Sequence, residues 1–98
     1  MKMYVHSKKS KQDIQEITKR SMEDFGEKQT LKYMAGLKER LQLLAEQPDI
    51  GRRFDHSLTK HQYLFFRYES HVIYYTKRNG DIFIVRILHT KMLPQKHI

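Results

Sequence analysis

His71-Val72-Ile73-Tyr74-Tyr75-Thr76-Lys77-Arg78, then Asn79-Gly80, then Asp81-Ile82-Phe83-Ile84-Val85-Arg86-Ile87-Leu88-His89 is the stretch whose reading decides the fold. Two runs rich in β-branched and aromatic residues flank Asn-Gly, the pair that most strongly signals a two-residue type I′ hairpin. A turn on Asn79 and Gly80 pairs Arg78 with Asp81, Tyr75 with Ile84 and Ile73 with Arg86. One face then carries Val72, Tyr74, Thr76, Phe83, Val85 and Ile87. The other carries His71, Ile73, Tyr75, Lys77, Ile82, Ile84, Arg86 and Leu88. Neither face is plainly polar, so both are expected to be covered, by helices on one side and by a partner or the tail on the other. The face of Val72, Tyr74, Phe83, Val85 and Ile87 is assigned to the helices because it lacks full charges. Arg86 stands out as a permanent charge in an apolar strand, which must reach water, a carboxylate or a ligand.

Working outward, the 98 residues make one domain, 1–98, with room for a single modest core. The hydrophobic fraction of 39% is low, but its strong patterning argues for folding rather than disorder. No apolar run has the length of a membrane span, and the charged stretch after Val5 gives no expectation of a secretory signal peptide. There is no cysteine, which excludes disulfides, thiolate catalysis and cysteine metal sites and fits a cytoplasmic location. The formal charge of +8 favours a nucleic acid, a nucleoprotein or an acidic protein as partner.

Residues 2–6 read as a short first strand, with Met3 and Val5 on one face and Tyr4 on the other. Ser7 is an N-cap candidate, because its hydroxyl can accept from an unpaired N–H of the following turn; Ser10 with Asp13 is a second. The first helix presents Ile14, Ile17, Ser21 and Phe25 as one stripe. Lys8, Lys9 and Lys11 stand at its start, where the helix dipole disfavours each cation by roughly 0.3–1 kcal/mol. They read either as a solvated rim or as a contact surface for an acidic partner. Gly26 breaks this helix. A second runs from about Glu27 to Gln47, with Tyr33, Leu37, Leu41 and Leu44, and Leu31 and Met34 beside them, at amphipathic spacing. Pro48 stops it, and the two helices form an expected antiparallel hairpin on the sheet. Asp49 to Lys60 reads as an irregular loop. Tyr63 to Tyr68 is the next strand, and Glu69-Ser70 a tight turn.

No Gly-rich phosphate loop, close carboxylate pair or nucleophile elbow occurs. The six histidines, at 6, 56, 61, 71, 89 and 97, include no helical i, i+4 metal pair, so neither a metal nor any other cofactor is expected. A metal-independent ribonuclease needs less: an acid or base, and cations for a phosphorane-like transition state. Arg67, Arg86, His89 and Lys91 supply such groups, though any basic surface does. Tyr63, Tyr68, Tyr74 and Tyr75 alternate with basic residues as a stacking platform would, and equally as half-buried strand packing.

The whole pattern resembles the RelE/ParE toxin superfamily of type II toxin–antitoxin modules, and the ParE branch in particular. The resemblance rests on Ser7 before the first helix and Phe25-Gly26 between helices. It continues through Leu43-Leu44-Ala45-Glu46-Gln47-Pro48-Asp49-Ile50-Gly51-Arg52, Tyr74-Tyr75 and the ending Ile84 to Ile98. It implies an α+β fold, β-α-α-β-β-β, with a mainly antiparallel twisted sheet and a helical hairpin on one face. It implies a non-enzymatic toxin that poisons DNA gyrase and blocks replication, neutralised by an acidic ParD-like antitoxin in a hetero-oligomer. Arg86, His89, Lys91, Met92, Leu93 and Ile98 are the expected target-binding residues: cations for acidic protein or DNA phosphate, with apolar groups to anchor. Lys8, Lys9, Lys11, Arg67, Ile73, Tyr75, Ile84 and Arg86 are the expected antitoxin-binding residues. RelE-like ribonucleases carry a basic cluster and usually a tyrosine or histidine near the C-terminus. This tail has no tyrosine after Tyr75, but His89 and His97 keep the ribonuclease as the alternative. A non-toxic member kept only to bind the antitoxin is a third reading.

Overall fold

The computed structural model describes residues 3–55 and 62–98. Strand β1 (Met3–His6) leads into helix α1 (Lys8–Glu46) and a 3-10 turn at Pro48–Ile50. Strands β2 (Arg52–Asp55), β3 (Gln62–Tyr68), β4 (His71–Lys77) and β5 (Asp81–His89) follow, and a 3-10 turn at Pro94–Lys96 lies in the tail. The sheet order is β1-β5-β4-β3-β2; β1 runs parallel to β5, and the other neighbours are antiparallel. The result is the expected α+β architecture with one additional strand. That strand, β2, corrects the reading of Asp49 onward as irregular: Arg52–Asp55 pairs with Gln62–Phe65. His56, Ser57, Lys60 and His61 lie outside the described residues.

The helical segment also departs from expectation. Helix α1 runs over 39 residues without an intervening loop, broken by a kink at Gly26 as expected but not folded into the expected antiparallel hairpin. A straight helix of that length would measure roughly 58 Å, at about 1.5 Å per residue. The molecule's longest axis is 40 Å. The difference is absorbed at Gly26, whose φ of 83° and ψ of 178° are non-helical and open essentially to glycine alone. Thr30 Oγ1 bonds both the Gly26 carbonyl and Ser21 Oγ at 2.8 Å, the two hydroxyls supplying the protons. A contact between positions nine apart requires the chain to bend back there. Gly26, where the sequence places the break, thus makes this bend by itself. The bend leaves Met22, Phe25 and Leu31 exposed, so the last two are not part of the buried stripe.

The helix-covered face is the reverse of the one assigned from the sequence. Leu37, Leu41, Leu44 and Ala45 pack on Ile73, Tyr75, Ile82, Ile84 and Ile87, with Ile14, Ile17 and Met34 at the margin. A β-bulge at Val85 removes the charge that argued against this face. Tyr75 pairs with Ile84 as expected, but Tyr74 pairs with Arg86 and Ile73 with Ile87, leaving Val85 without a partner opposite. One extra residue exchanges the faces of everything beyond it. Arg86, whose charge argued against this face, is thereby turned off it, and Ile87 joins the core. The Asn79-Gly80 turn is also not type I′. Gly80 has φ 95°, whereas Asn79 stays out of the left-handed region that type I′ requires of both residues.

Two tyrosine hydroxyls of the sheet bond the helix and the turn that follows it. Tyr75 donates its hydroxyl to the Pro48 carbonyl (2.7 Å) and accepts from the Gly51 N–H (3.1 Å). Tyr68 donates to the Tyr33 carbonyl (3.0 Å) across Gly36. A Cβ at Gly36 or Gly51 would stand 2.1 Å from the respective tyrosine oxygen, so the close approach itself requires glycine.

Candidate functional site

The second half of β5 is where side chains replace backbone partners. Its first half pairs with β1 through Ile84. Beyond His6 the chain leaves the sheet as α1, and the β5 edge would be bare. The Ser7 N–H donates to the Ile84 carbonyl (2.9 Å), and Ser7 Oγ donates to the carbonyl of the bulged Val85 (2.7 Å). The same oxygen accepts from the Ser10 N–H (2.9 Å), so the helix cap is also a strand anchor. Ser10 itself is no second cap: it is fully buried, with its hydroxyl 2.6 Å from His6 Nδ1. Burial, and then the charge of Lys11, lower the His6 pKa.

One turn further along, Asp13 takes over the edge. Its carboxylate accepts from Arg86 Nε and Nη2, both at 2.8 Å, and from the Ile87 N–H at 3.0 Å. The remaining guanidinium nitrogen, Nη1, donates to the His97 carbonyl at 2.8 Å. The two side chains are only 15% and 12% exposed, so the pair is largely withdrawn from water. The hydrogen bonds to Asp13 raise the Arg86 pKa further. Arg86 thus finds its carboxylate within the chain, 73 residues away in sequence.

A second set of contacts fixes the exit from β5. His71 and His89 face each other across β4 and β5, with ring centres 5.5 Å apart and planes at 81°. Tyr33 accepts from the Ser70 N–H (3.3 Å) and lies 2.7 Å from His71 Nδ1. Burial first, then the neighbouring His89, lower the His71 pKa to about 4, against a smaller raising effect of Asp13. His89 Nδ1 accepts from the Lys91 N–H (3.1 Å), and the Thr90 N–H donates to the Ser70 carbonyl (2.9 Å).

These contacts sort the residues named from the sequence. Arg86 and His89 come together with the tail, and Lys91, Met92 and Leu93 are exposed along it, with Ile98 half-buried at its end. Lys8, Lys9 and Lys11 are exposed on the first turn of α1, and Arg67 is exposed, its Nε donating to the Glu69 carbonyl at 3.0 Å. Ile73, Tyr75 and Ile84 are fully buried beneath the helix. Their placement on a partner-facing surface is therefore corrected; it followed from assigning the helices to the opposite face of the sheet. Tyr74 belongs instead to an aromatic group on the opposite face, edge-on to Phe54 and tilted against Phe65. Asp13, Tyr33 and His71 were missed as site residues. Asp13 carries one local signal, a carboxylate in an otherwise cationic helix start; Tyr33 and His71 carry none.

Among the described residues no group of three or more His, Cys, Asp or Glu side chains could hold a metal ion. No helix among them is long and apolar enough to cross a membrane.

Residues 4–94 match the family model described as ParE toxin of type II toxin-antitoxin system, parDE. Among solved structures, the chain is similar to one titled "Chromosomal ParDE TA system from P. aeruginosa", with a TM-score of 0.75 and 17% identity. That likeness covers 93% of this chain and 98% of the other, and at this identity it speaks for the fold alone. No curated protein matches the sequence.

Proposed function

Because this chain belongs to the ParE toxin family of type II toxin–antitoxin systems, we propose that it is a toxin that poisons DNA gyrase in the cytoplasm and blocks replication. It acts by binding rather than by breaking a bond itself. The observation that carries this choice over a ribonuclease is the state of Arg86. A ribonuclease would aim that guanidinium at the scissile phosphate. Here three of its donors are committed to Asp13 and the His97 carbonyl. The nearby His71 is neutral at physiological pH and engaged with Tyr33, so it is a poor general acid.

The target-binding segment is the exit of β5 and the tail. Exposed Lys91 supplies charge, Met92 and Leu93 supply apolar contact, and His89 and Ile98 flank them. Arg86 contributes by shaping that segment. The neutralising partner is an acidic ParD-like antitoxin whose carboxylates meet Lys8, Lys9, Lys11 and Arg67, with an apolar stripe that folds on binding. Part of this affinity is screened by salt. Co-expression with the neighbouring open reading frame should relieve toxicity and yield a co-purifying complex.

The deciding experiment is a supercoiling and DNA-cleavage assay with purified gyrase. Inhibition with accumulation of cleaved DNA is expected from the intact chain. No inhibition, together with mRNA cleavage on ribosomes, would transfer the protein to the ribonuclease reading.

A further inference from the structure

We propose that Asp13, in the first arm of helix α1, is the positioning residue for the C-terminal tail, acting through Arg86. The inference rests on the reading above in that the tail is taken as the target-engaging segment.

The tail has its own short-range bonds. Met92 N–H donates to the His89 carbonyl, Lys96 N–H to Leu93, and Ile98 N–H to Pro94, at 2.9, 3.1 and 3.0 Å. Bonds of that range fold the segment locally but do not fix it against the body. Its far end returns to the sheet at the His97 carbonyl, which accepts from Arg86 Nη1. A guanidinium on a long side chain turns freely unless its plane is held. Asp13 holds that plane with two parallel bonds to Nε and Nη2. The same carboxylate is itself pinned by the Ile87 N–H, so backbone, carboxylate, guanidinium and tail carbonyl form one rigid series. The low exposure of both side chains protects the series from competition by water. The geometry therefore makes a helix residue set the direction of a tail more than seventy positions away in sequence.

Two variants and two readouts test this. Asp13→Asn keeps the size and one acceptor for the Ile87 N–H but loses the charge and the paired bonds. Arg86→Lys keeps the charge but cannot bond a carboxylate and the tail carbonyl through a planar fork. In the free protein, amide hydrogen exchange at His97 and Ile98 is expected to quicken about tenfold in either variant, the scale of one lost charged hydrogen bond. Inhibition of gyrase supercoiling is expected to weaken by a similar factor, about tenfold, in both.

Arg86→Lys is the informative variant, because a residue that merely offers positive charge to the target would be rescued by lysine. Full inhibition by Arg86→Lys, or unchanged tail exchange in both variants, overturns the proposal. Faster exchange with undiminished inhibition also overturns it, since the tail's direction would then be irrelevant. Should Asp13→Asn lower the melting temperature into the assay range, Arg86→Lys alone decides. If the unaltered chain does not inhibit gyrase at all, the functional reading fails. The exchange measurement then still decides whether Asp13 positions the tail.

Discussion

The two halves of β5 are built on different principles. From Ile82 to Ile84 the strand is paired on both sides by backbone, β1 along one edge and β4 along the other. From Arg86 to His89 it keeps β4, but its other edge is served by the Asp13 side chain, with Ser7 holding the carbonyl of Val85 just before it. Between them sits the bulged Val85. A backbone ladder tolerates substitution, because every residue brings the same N–H and C=O. An edge satisfied by side chains depends on particular residues, and substitutions there have specific consequences. The half that depends on individual side chains is also the half that leads into the candidate site.

The sharpest contrast is across the bulge itself. Ile84 is fully buried against the helix, so Ile84→Ala should cost about 3–4 kcal/mol in chemical denaturation. Half-buried Val85, one residue on, should lose less than about 1 kcal/mol on the same substitution. Equal losses at the two positions would mean that Val85 is packed as tightly on its own face as Ile84 is beneath the helix.

Asp13→Ala tests the side-chain edge. It leaves Arg86 and the Ile87 N–H without their partner in a site that is mostly dry, which should cost about 2–3 kcal/mol. The effect should be smaller in Asp13→Asn, whose side-chain oxygen still accepts from Ile87. If the alanine variant unfolds at the same denaturant concentration as the parent, water has access to that edge after all.

On the first half, Gly51→Ala would press a methyl group against the hydroxyl of Tyr75, an oxygen already fixed by two hydrogen bonds. A loss of about 1–3 kcal/mol is expected, readable as a lowered melting temperature.

The pH dependence comes from the second half. The His71 pKa is about 4 in the folded protein, below its ordinary 6.5. The unfolded chain therefore binds more protons between those values. Stability is complete above pH 6.5, falls as the pH drops toward 4, and levels off below. Discounted for solvent around a ring that is only partly enclosed, the loss is about 1 kcal/mol. His6, also lowered by burial, adds in the same direction. The His71→Gln variant should show a flatter melting-temperature profile over that range.

The smallest effect belongs to the basic rim. Lys9→Glu places an anion in the first turn of α1, which has no acidic residue, and should stabilise the free protein by about 0.5 kcal/mol. The same change should weaken antitoxin binding and reduce its dependence on salt, as isothermal titration at two ionic strengths would show. Stabilisation without any change in binding would leave the rim as solvated surface.

Sequence by itself determined the parts of this protein whose causes are local. Ser7 caps the helix because its hydroxyl meets the N–H three residues on. Gly26 turns the chain because few residues other than glycine adopt that backbone. Pro48 ends the helix, and the β-branched and aromatic runs become β3, β4 and β5. The family was legible because these features recur in order along nearly the whole chain. Tertiary structure alone decided which side of the sheet the helix covers, since Ile73, Ile84 and Ile87 against Tyr74, Phe83 and Val85 gives apolar groups in either frame. A bulge shifts a count by one, and periodicity cannot register it where both frames are apolar. Nor could β2 be read, since Arg52–Asp55 has no clean alternation and becomes a strand through its pairing with β3. The partner of Arg86 was likewise hidden. Any of 11 acidic residues satisfies the chemistry of a buried guanidinium, and only the folded path of the chain brings Asp13 within 2.8 Å of it.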